Sequence, residues 1–220
     1  MDLDDVSLWP PLGLRVTGFG LELAWARDDL IFALAREAAL GVHESAAMPF
    51  LVPWTRGTPA QVGRSVLQYG WGRRAVLSPG EWCLQLAVLR DGAVLGLQDA
   101  FARDYTVTRT AETGSWLGLR HQRQGIGWQM RLLVLHLLFD GLGAATATTS
   151  AFDDNPGSLG VTRKLGYREN GVTTVVRQGS GVVSHAFRMD REDWDARPGW
   201  MRPDVGLEGA GPVRSLLGID

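Results

Sequence analysis

The sequence predicts an α/β fold, and three observations support this. The chain has 220 residues, of which 45% are hydrophobic, enough for one well-buried domain rather than two large ones. Two apolar runs are joined by Asp91-Gly92, the dipeptide most typical of a tight hairpin. The centre of the chain alternates between strand and helix patterns in the order βαβα.

The first third of the chain predicts one strand and two helices. Residues 14 to 25 alternate as a strand, with a turn pattern at Gly18 to Gly20. From Asp28 to Gly41 the apolar residues take helical spacing, and a second helical pattern runs from Pro59 to about Arg74. Between them, residues 48 to 54 form a stiff apolar loop, which we expect to line a pocket.

The centre of the chain contains a strand at 114 to 119, a long helix at 128 to 139, a strand at 144 to 150 and a helix at 156 to 165. The long helix is apolar on more than one side, so it should lie in the core.

Two hairpins and the two ends complete the organisation. Trp82 to Leu89 pairs with Ala93 to Phe101, and Val172 to Val176 pairs with Val182 to Met189. Residues 1 to 12 are predicted to be an N-terminal extension of a domain at 13 to 195. The glycine- and proline-rich residues 196 to 220 are predicted to be an irregular tail.

Composition excludes several classes of protein. The net charge is -2 with no basic stretch, which argues against nucleic-acid binding. Cys83 is the only cysteine, so disulfides and cysteine-based zinc sites are excluded and a reducing, cytoplasmic location is expected. The acidic first residues and the short apolar runs predict neither a signal peptide nor a membrane span. The four histidines are scattered, so we expect no metal site.

A glycine loop is the main candidate for binding chemistry. The central strand ends in Leu117-Gly118-Leu119 and is followed by Gln122-Arg123-Gln124-Gly125-Ile126-Gly127 at a helix start. Free backbone N–H groups at such a start bind anions, and glycines let a diphosphate approach. An ordinary strand-to-helix turn fits the same residues.

Other glycine motifs fit poorly. A dinucleotide-binding loop needs a third glycine where Met130 stands, and an acidic residue at the end of the next strand, which here is Thr148-Thr149-Ser150. The nucleoside-triphosphate motif G-x-x-x-x-G-K-[ST] is absent from the sequence.

The combined motifs resemble the GNAT acyltransferases. The glycine loop follows a strand, and Asn155-Pro156-Gly157-Ser158 opens a helix that ends in Arg163-Lys164-Leu165-Gly166-Tyr167. Ala111 to Leu117 is similar to the fourth strand of the RimJ/RimL branch of ribosomal-protein N-terminal acetyltransferases. Residues 41 to 43, 48 to 50, 52 to 56 and 114 to 120 look like a bacterial member that uses succinyl-CoA.

This resemblance implies one GNAT domain with a central mixed, twisted sheet of about six or seven strands, about four flanking helices, and two parallel central strands that splay apart. It implies an acetyl- or succinyl-coenzyme A co-substrate, no metal, and an acceptor amine on a protein N-terminus, a lysine or a small molecule. The implied coenzyme A site consists of Leu117, Gly118, Leu119, Gln122, Arg123, Gln124, Gly125, Ile126, Gly127, Trp128, Asn155 and Ser158.

The resemblance also suggests catalytic roles. Glu112 is the candidate base for the amine, although a solvated glutamate at a strand end fits equally well. Ser158 is the candidate donor to the departing thiolate, and it also suits the first turn of a helix capped by Asn155. Many GNAT enzymes have a tyrosine at the position of Thr162, so this chain departs from them there.

Substrate recognition is assigned to Trp54, Arg56 and Arg177. Arg177 lies where the ribosomal-protein branch has an acidic residue, and an arginine can bind a carboxylate through two parallel hydrogen bonds. Arg177 or Arg56 is therefore a hypothetical site for a succinyl carboxylate or an acidic acceptor, with an ordinary exposed arginine as the alternative.

Two rival functions remain open at this stage. One is a non-catalytic acyl-CoA-binding or sensing domain, and the weaker one is a dinucleotide-binding protein. The apolar loop and a free strand edge also predict a homodimer.

Overall fold

The computed structural model describes residues 3 to 219 as a single sheet with helices on both faces. The strands are β1 (Arg15–Gly18), β2 (Leu21–Trp25), β3 (Glu81–Arg90), β4 (Ala93–Arg103), β5 (Thr110–Leu117), β6 (Thr146–Phe152), β7 (Arg168–Arg177), β8 (Ser180–Asp190) and β9 (Gly206–Glu208). The helices are α1 (Asp5–Leu8), α2 (Asp28–Ala39), α3 (Pro59–Ala75), α4 (Tyr105–Thr108), α5 (Ile126–His136), α6 (Pro156–Lys164), α7 (Arg191–Asp195) and α8 (Ala210–Leu216).

The sheet is mixed and open, with the strand order β7-β8-β6-β5-β4-β3-β2-β1-β9. Only β5 and β6 pair in parallel among the described strands. Their ladder contains three residue pairs and ends at Glu112 with Thr148, although β5 continues to Leu117 and β6 to Phe152. The two central strands therefore leave an opening between their carboxyl-terminal halves, as expected.

The nine strands and eight helices of the described chain exceed the six or seven strands and four helices that were expected. Residues 14 to 25 form two strands, because Phe19 and Gly20 take left-handed backbone conformations (φ 58° and 69°) that reverse the chain. Four of the helices, α1, α4, α7 and α8, span only four to seven residues.

The expectation of an irregular tail is wrong for much of residues 196 to 219. β9 pairs with β1 at the edge of the sheet, and α8 follows it. Val213, Leu217 and Ile219 are fully buried in the main core. Burying these apolar side chains stabilises the segment in spite of its glycine content.

Local sequence explains where the main helices begin. α3 starts with a capping box, in which Thr58 and Gln61 each satisfy the other's backbone N–H. Asp28 and Asp29 occupy the first turn of α2, where negative charge favours the helix dipole. Asn155 caps α6 through a 3.1 Å bond from the N–H of Ser158.

Two cores lie on opposite faces of the sheet. The larger surrounds α5, where every residue from Met130 to His136 is buried. The smaller lies beneath α2 and α3, and includes Leu97 and Trp116 from the sheet.

Candidate functional site

The glycine loop has the geometry of an anion site. Arg123 and Gly125 both have left-handed backbone conformations (φ 59° and 79°), which lead into the first turn of α5. Gly125 occupies the cap position and supplies no side-chain acceptor. The N–H groups of Ile126, Gly127 and Trp128 have no partner inside a helix and are available to an anion such as a diphosphate.

Gly127 is not required by packing within the protein. A Cβ added at this position would lie 3.8 Å from Val161 Cγ2, an ordinary contact. The backbone conformation of Gly127 is also one that any residue adopts. The glycine therefore suits close approach of a ligand rather than a steric demand of the fold.

A basic and aromatic cluster flanks the loop. Lys164 Nζ lies 4.5 Å from the centroid of the Trp128 ring, and this ring also forms T-shaped contacts with Phe19 and Trp200. A cation in this position favours an anionic ligand at the neighbouring helix start. Sequence reasoning did not identify Lys164 as part of the site, because nothing local shows that the end of α6 meets the start of α5.

The backbone around Leu117 is already hydrogen-bonded within the protein. Gln122 Nε2 donates to Leu117 O at 2.9 Å and to Val42 O at 2.6 Å, and Leu119 N donates to Gly41 O at 2.9 Å. Gln122 thus joins the end of β5 to the loop after α2. Pairing of Leu117 and Leu119 with a pantetheine arm stays a prediction, and it would require Leu119 to exchange its partner.

Gly118 is needed for close packing. A Cβ at this position would lie 2.0 Å from Glu37 Oε1, and the Glu37 carboxylate is buried where it pairs with Arg120 and His121. The residue therefore has a structural role that its position in the strand motif did not reveal.

Glu112 lies beside the last parallel pair of the sheet, opposite Thr148 on β6 and Phe101 on β4. It is half-buried, and this burial raises the pKa of its carboxyl. Because side chains alternate along a strand, Gly114 and Trp116 are on the same face as Glu112. A Cβ at Gly114 would meet no atom within 4 Å, so open space adjoins the candidate base.

Ser158 lies in the first turn of α6, where it is partly exposed. Thr162, one turn later, is fully buried, and its hydroxyl already forms two hydrogen bonds within the protein. It donates to Ser158 O at 2.9 Å and accepts from Arg131 Nη1 at 2.9 Å. Of these two hydroxyls, only that of Ser158 is free to donate to a departing thiolate.

An aromatic row lines the same side of the sheet as Gly114. Trp54 packs 5.8 Å from Trp116 and 5.0 Å from Phe50, measured between ring centroids. His43 continues the row beyond Phe50, and its Nε2 lies 2.7 Å from Thr55 Oγ1. The loop that was expected to line a pocket therefore packs onto β5 beside the open space.

The two candidate carboxylate-binding arginines differ in their contacts. Arg177 is buried, forms two hydrogen bonds with the carboxylate of Asp154, donates to Met48 O, and lies over the ring of Phe152. Arg56 is exposed, with a bond of 2.9 Å from Nη1 to Ser45 O. Arg56 keeps donors free for a ligand, whereas the guanidinium of Arg177 already holds a protein carboxylate.

The chain matches the profile of the acetyltransferase (GNAT) domain over residues 24–168. Its fold is similar to that of RimL, a ribosomal alpha-N-protein acetyltransferase solved in complex with coenzyme A. That structure has a TM-score of 0.62 and 14% identity, over 80% of this chain and 97% of RimL.

Two further structures have similar folds. A GCN5-related N-acetyltransferase from Brucella melitensis has a TM-score of 0.63 and 19% identity, over 83% of this chain and 80% of its own. A GNAT-family acetyltransferase from Bacillus anthracis has a TM-score of 0.63 and 14% identity, over 81% of this chain and 99% of its own.

Residues 3 to 219 lack both a membrane-spanning helix and a cluster of metal ligands. No helix in this range has the length and apolar character needed to cross a bilayer. No three histidine, cysteine or acidic side chains in the same range are grouped as metal ligands.

Proposed function

The chain belongs to the GNAT acetyltransferase family, whose members transfer an acetyl group from coenzyme A to an amine, and we propose that in this chain an acceptor amine directly attacks the thioester of an acyl-CoA, both bound in a ternary complex at the β5–β6 opening. The main support is the uncapped start of α5 at Gly125, which follows the end of β5 at Leu117 after a short loop. A diphosphate bound there would direct the rest of the acyl donor towards the opening.

Glu112 is the proposed base. An attacking amine must lose a proton as its nitrogen bonds to the thioester carbonyl carbon and the carbon–sulfur bond breaks. A carboxyl with a raised pKa is better matched to that task near neutral pH than an ordinary one. The open space above Gly114 is the proposed location of the amine.

Ser158 is the proposed donor to the sulfur that leaves. Its backbone N–H is bonded to Asn155, while its side chain remains in the accessible first turn of α6. The start of this helix also favours negative charge on the leaving group.

The test is release of free thiol from acetyl-CoA with and without an amine. An enzyme releases thiol when the amine is added, whereas a non-catalytic acyl-CoA sensor binds the thioester and leaves it intact. Binding without turnover across a broad panel of amines would favour the sensor. Calorimetric binding of NAD in place of coenzyme A would instead favour a dinucleotide-binding protein.

A protein N-terminus is the proposed first class of acceptor. RimL, which shares the fold, is an alpha-N-protein acetyltransferase, and the aromatic row from His43 to Trp116 offers apolar contacts to the side chains that follow a terminal amine. Peptides with a free or a blocked α-amine, compared with lysine side chains and small amines, would distinguish these acceptors. Turnover of an α-blocked peptide that contains lysine would redirect the assignment to side-chain amines.

Succinyl transfer is a second candidate, supported by the free donors of exposed Arg56 beside the aromatic row. A guanidinium can bind the free carboxylate of a succinyl group through paired hydrogen bonds. The expected result is that Arg56→Ala lowers kcat/KM for succinyl-CoA at least tenfold more than for acetyl-CoA, the scale of one lost charged hydrogen bond. An equal loss with both donors would refute this role of Arg56.

A homodimer is also proposed. Leu51 and Val52 on the loop, together with Val172 and Val176 on edge strand β7, are exposed apolar side chains. Sedimentation at several protein concentrations tests this, and a monomer at all concentrations contradicts it.

A further inference from the structure

Arg131 is a buried cation in the core helix α5. It has 7% of its surface exposed. Its Nη1 donates to Thr162 Oγ1 on α6 at 2.9 Å, and its Nη2 lies 3.3 Å from Thr149 Oγ1 on β6. The guanidinium also lies 5.8 Å from the centroid of the Tyr167 ring.

This cluster lies where the two parallel strands separate. Their backbone ladder ends at Glu112 with Thr148, so Thr113 and Thr149 are the first residues beyond it. Here Thr149 Oγ1 donates to Thr113 O at 3.0 Å, and a side chain thereby replaces the missing backbone bond. Arg131 contacts that same hydroxyl, which places its charge at the start of the opening.

The charge is not neutralised within the cluster. No carboxylate from residues 3 to 219 forms an ion pair with Arg131, and the nearest titratable neighbour is the buried phenol of Tyr167. Desolvation lowers the pKa of the guanidinium, but an arginine side chain stays protonated in proteins. Burying a cation among neutral oxygens is unfavourable unless a compensating anion arrives.

On the proposed reaction, sulfur departs from the acyl carbon as a thiolate while the amine nitrogen takes its place. We propose that Arg131 is a positioning residue, holding Thr149 and Thr162 at the strand opening and directing its positive charge to the sulfur, so that the thiolate is favoured. This inference rests on the proposed function, because coenzyme A must place its sulfur in the opening. Ser158 remains the proposed hydrogen-bond donor to that thiolate.

The pKa of the coenzyme A thiol, bound to the full-length protein, tests this directly. This pKa is measured by NMR, from the pH dependence of the signal of a labelled carbon next to the sulfur. Arg131→Gln keeps hydrogen-bond donors near the threonines but removes the charge, and Arg131→Lys keeps the charge. We expect the Gln variant to raise the thiol pKa by about one unit, a roughly tenfold loss of thiolate, as for a unit charge acting at close range. The Lys variant should remain near the wild-type value.

Several outcomes are decisive. An unchanged thiol pKa in a folded Arg131→Gln variant overturns the proposal, as does an equal rise in both variants, which would show a purely structural role. Should Arg131→Gln not fold, the thiol pKa is measured in Thr162→Val instead. This variant removes the hydroxyl that accepts from Arg131 Nη1, while the guanidinium keeps its charge. The thiol pKa should then stay level or fall, and a rise overturns the inference. Failure of the wild-type protein to bind coenzyme A would instead refute the proposed function itself.

Discussion

Arg177 on β7 forms a paired hydrogen bond with the carboxylate of Asp154, which follows β6. Its Nη1 donates to Oδ1 at 3.1 Å and its Nη2 donates to Oδ2. The same guanidinium donates to Met48 O in the loop between α2 and α3. Through these bonds, one buried side chain joins the last hairpin, the segment that precedes α6 and the loop on the acceptor side.

Removal of this pair should loosen that loop without changing donor preference. We expect Arg177→Ala to lower kcat/KM with acetyl-CoA and succinyl-CoA by the same factor, and to destabilise the fold by about 1–3 kcal/mol because Asp154 and Met48 O lose their partner. Steady-state kinetics and thermal denaturation measure the two effects. A loss confined to succinyl-CoA would instead assign Arg177 to the donor carboxylate.

Glu112 should control the acidic side of the pH profile. Burial raises its pKa, so the proportion of ionised base, and with it kcat/KM, should rise with pH through a value above that of an ordinary glutamate. Glu112→Gln should lower kcat by about 10²- to 10⁴-fold and remove this dependence. Glu208→Gln, in edge strand β9, is the control and should retain full activity.

The raised pKa of Glu112 also makes a prediction for stability. Its folded-state pKa lies above the unfolded value, so the contribution to stability is fully present below the unfolded pKa and is lost as pH rises through the folded one. Glu112→Gln should therefore gain stability over wild type as pH rises. Urea denaturation of both proteins across this range would show the difference, and a pH-independent difference would contradict it.

Two helix glycines separate ligand binding from stability. Gly127→Ala adds a Cβ at the start of α5 and should weaken coenzyme A binding at least tenfold, since in the proposed complex the diphosphate comes close to this backbone. Gly160→Ala, in α6 with no atom within 4 Å of the added Cβ, is the matched control and should leave affinity unchanged. Both changes should maintain or raise stability, Gly160→Ala by roughly 0.5–1 kcal/mol. Calorimetric titration with coenzyme A tests the pair, and equal affinities would remove the glycine loop from the binding site.

Asp99 on β4 should lower the stability of the fold as pH rises from acid to neutral values. Burial raises the pKa of its carboxyl to about 7, although the charge of Arg73 and a hydrogen bond with Gln85 act in the opposite direction. Its Oδ1 has no hydrogen-bond partner among the described residues. The contribution of Asp99 to stability should be fully present below the unfolded pKa of about 4 and should be lost as pH rises through the folded pKa of about 7, where the folded protein gives up this proton. Asp99→Asn should remove the decline, which urea denaturation at several pH values would reveal. A wild-type curve without this decline would show that Asp99 is ionised in the fold.

Local patterns in the sequence predicted the main elements well. Asp91-Gly92 does turn β3 into β4, and Asn155-Pro156 does start α6. The single mixed sheet with its opening between β5 and β6 is confirmed, as is membership of the GNAT family. The roles given to Glu112 and to the glycine loop stay predictions.

The division of residues 14 to 25 into two strands and the burial of the tail were harder to predict. The turn pattern at Gly18 to Gly20 was recognised, but the full chain reversal also requires a left-handed Phe19, which no residue preference indicates. Residues 206 to 216 were predicted to be irregular because they are rich in glycine, and their few apolar side chains give no clear periodic pattern. In the structure some of these side chains pack into the core.

The sequence by itself determined the order of the central elements, the uncapped glycine loop and the starts of the main helices, because these depend on residues within a few positions of one another. Only the tertiary structure decided what meets at the opening. Gln122 bonds to Val42 from 80 residues away, and Arg131 reaches Thr162 across 31. Such contacts depend on how helices pack on a twisted sheet. The local sequence pattern does not indicate which buried cation will lie beside which hydroxyl.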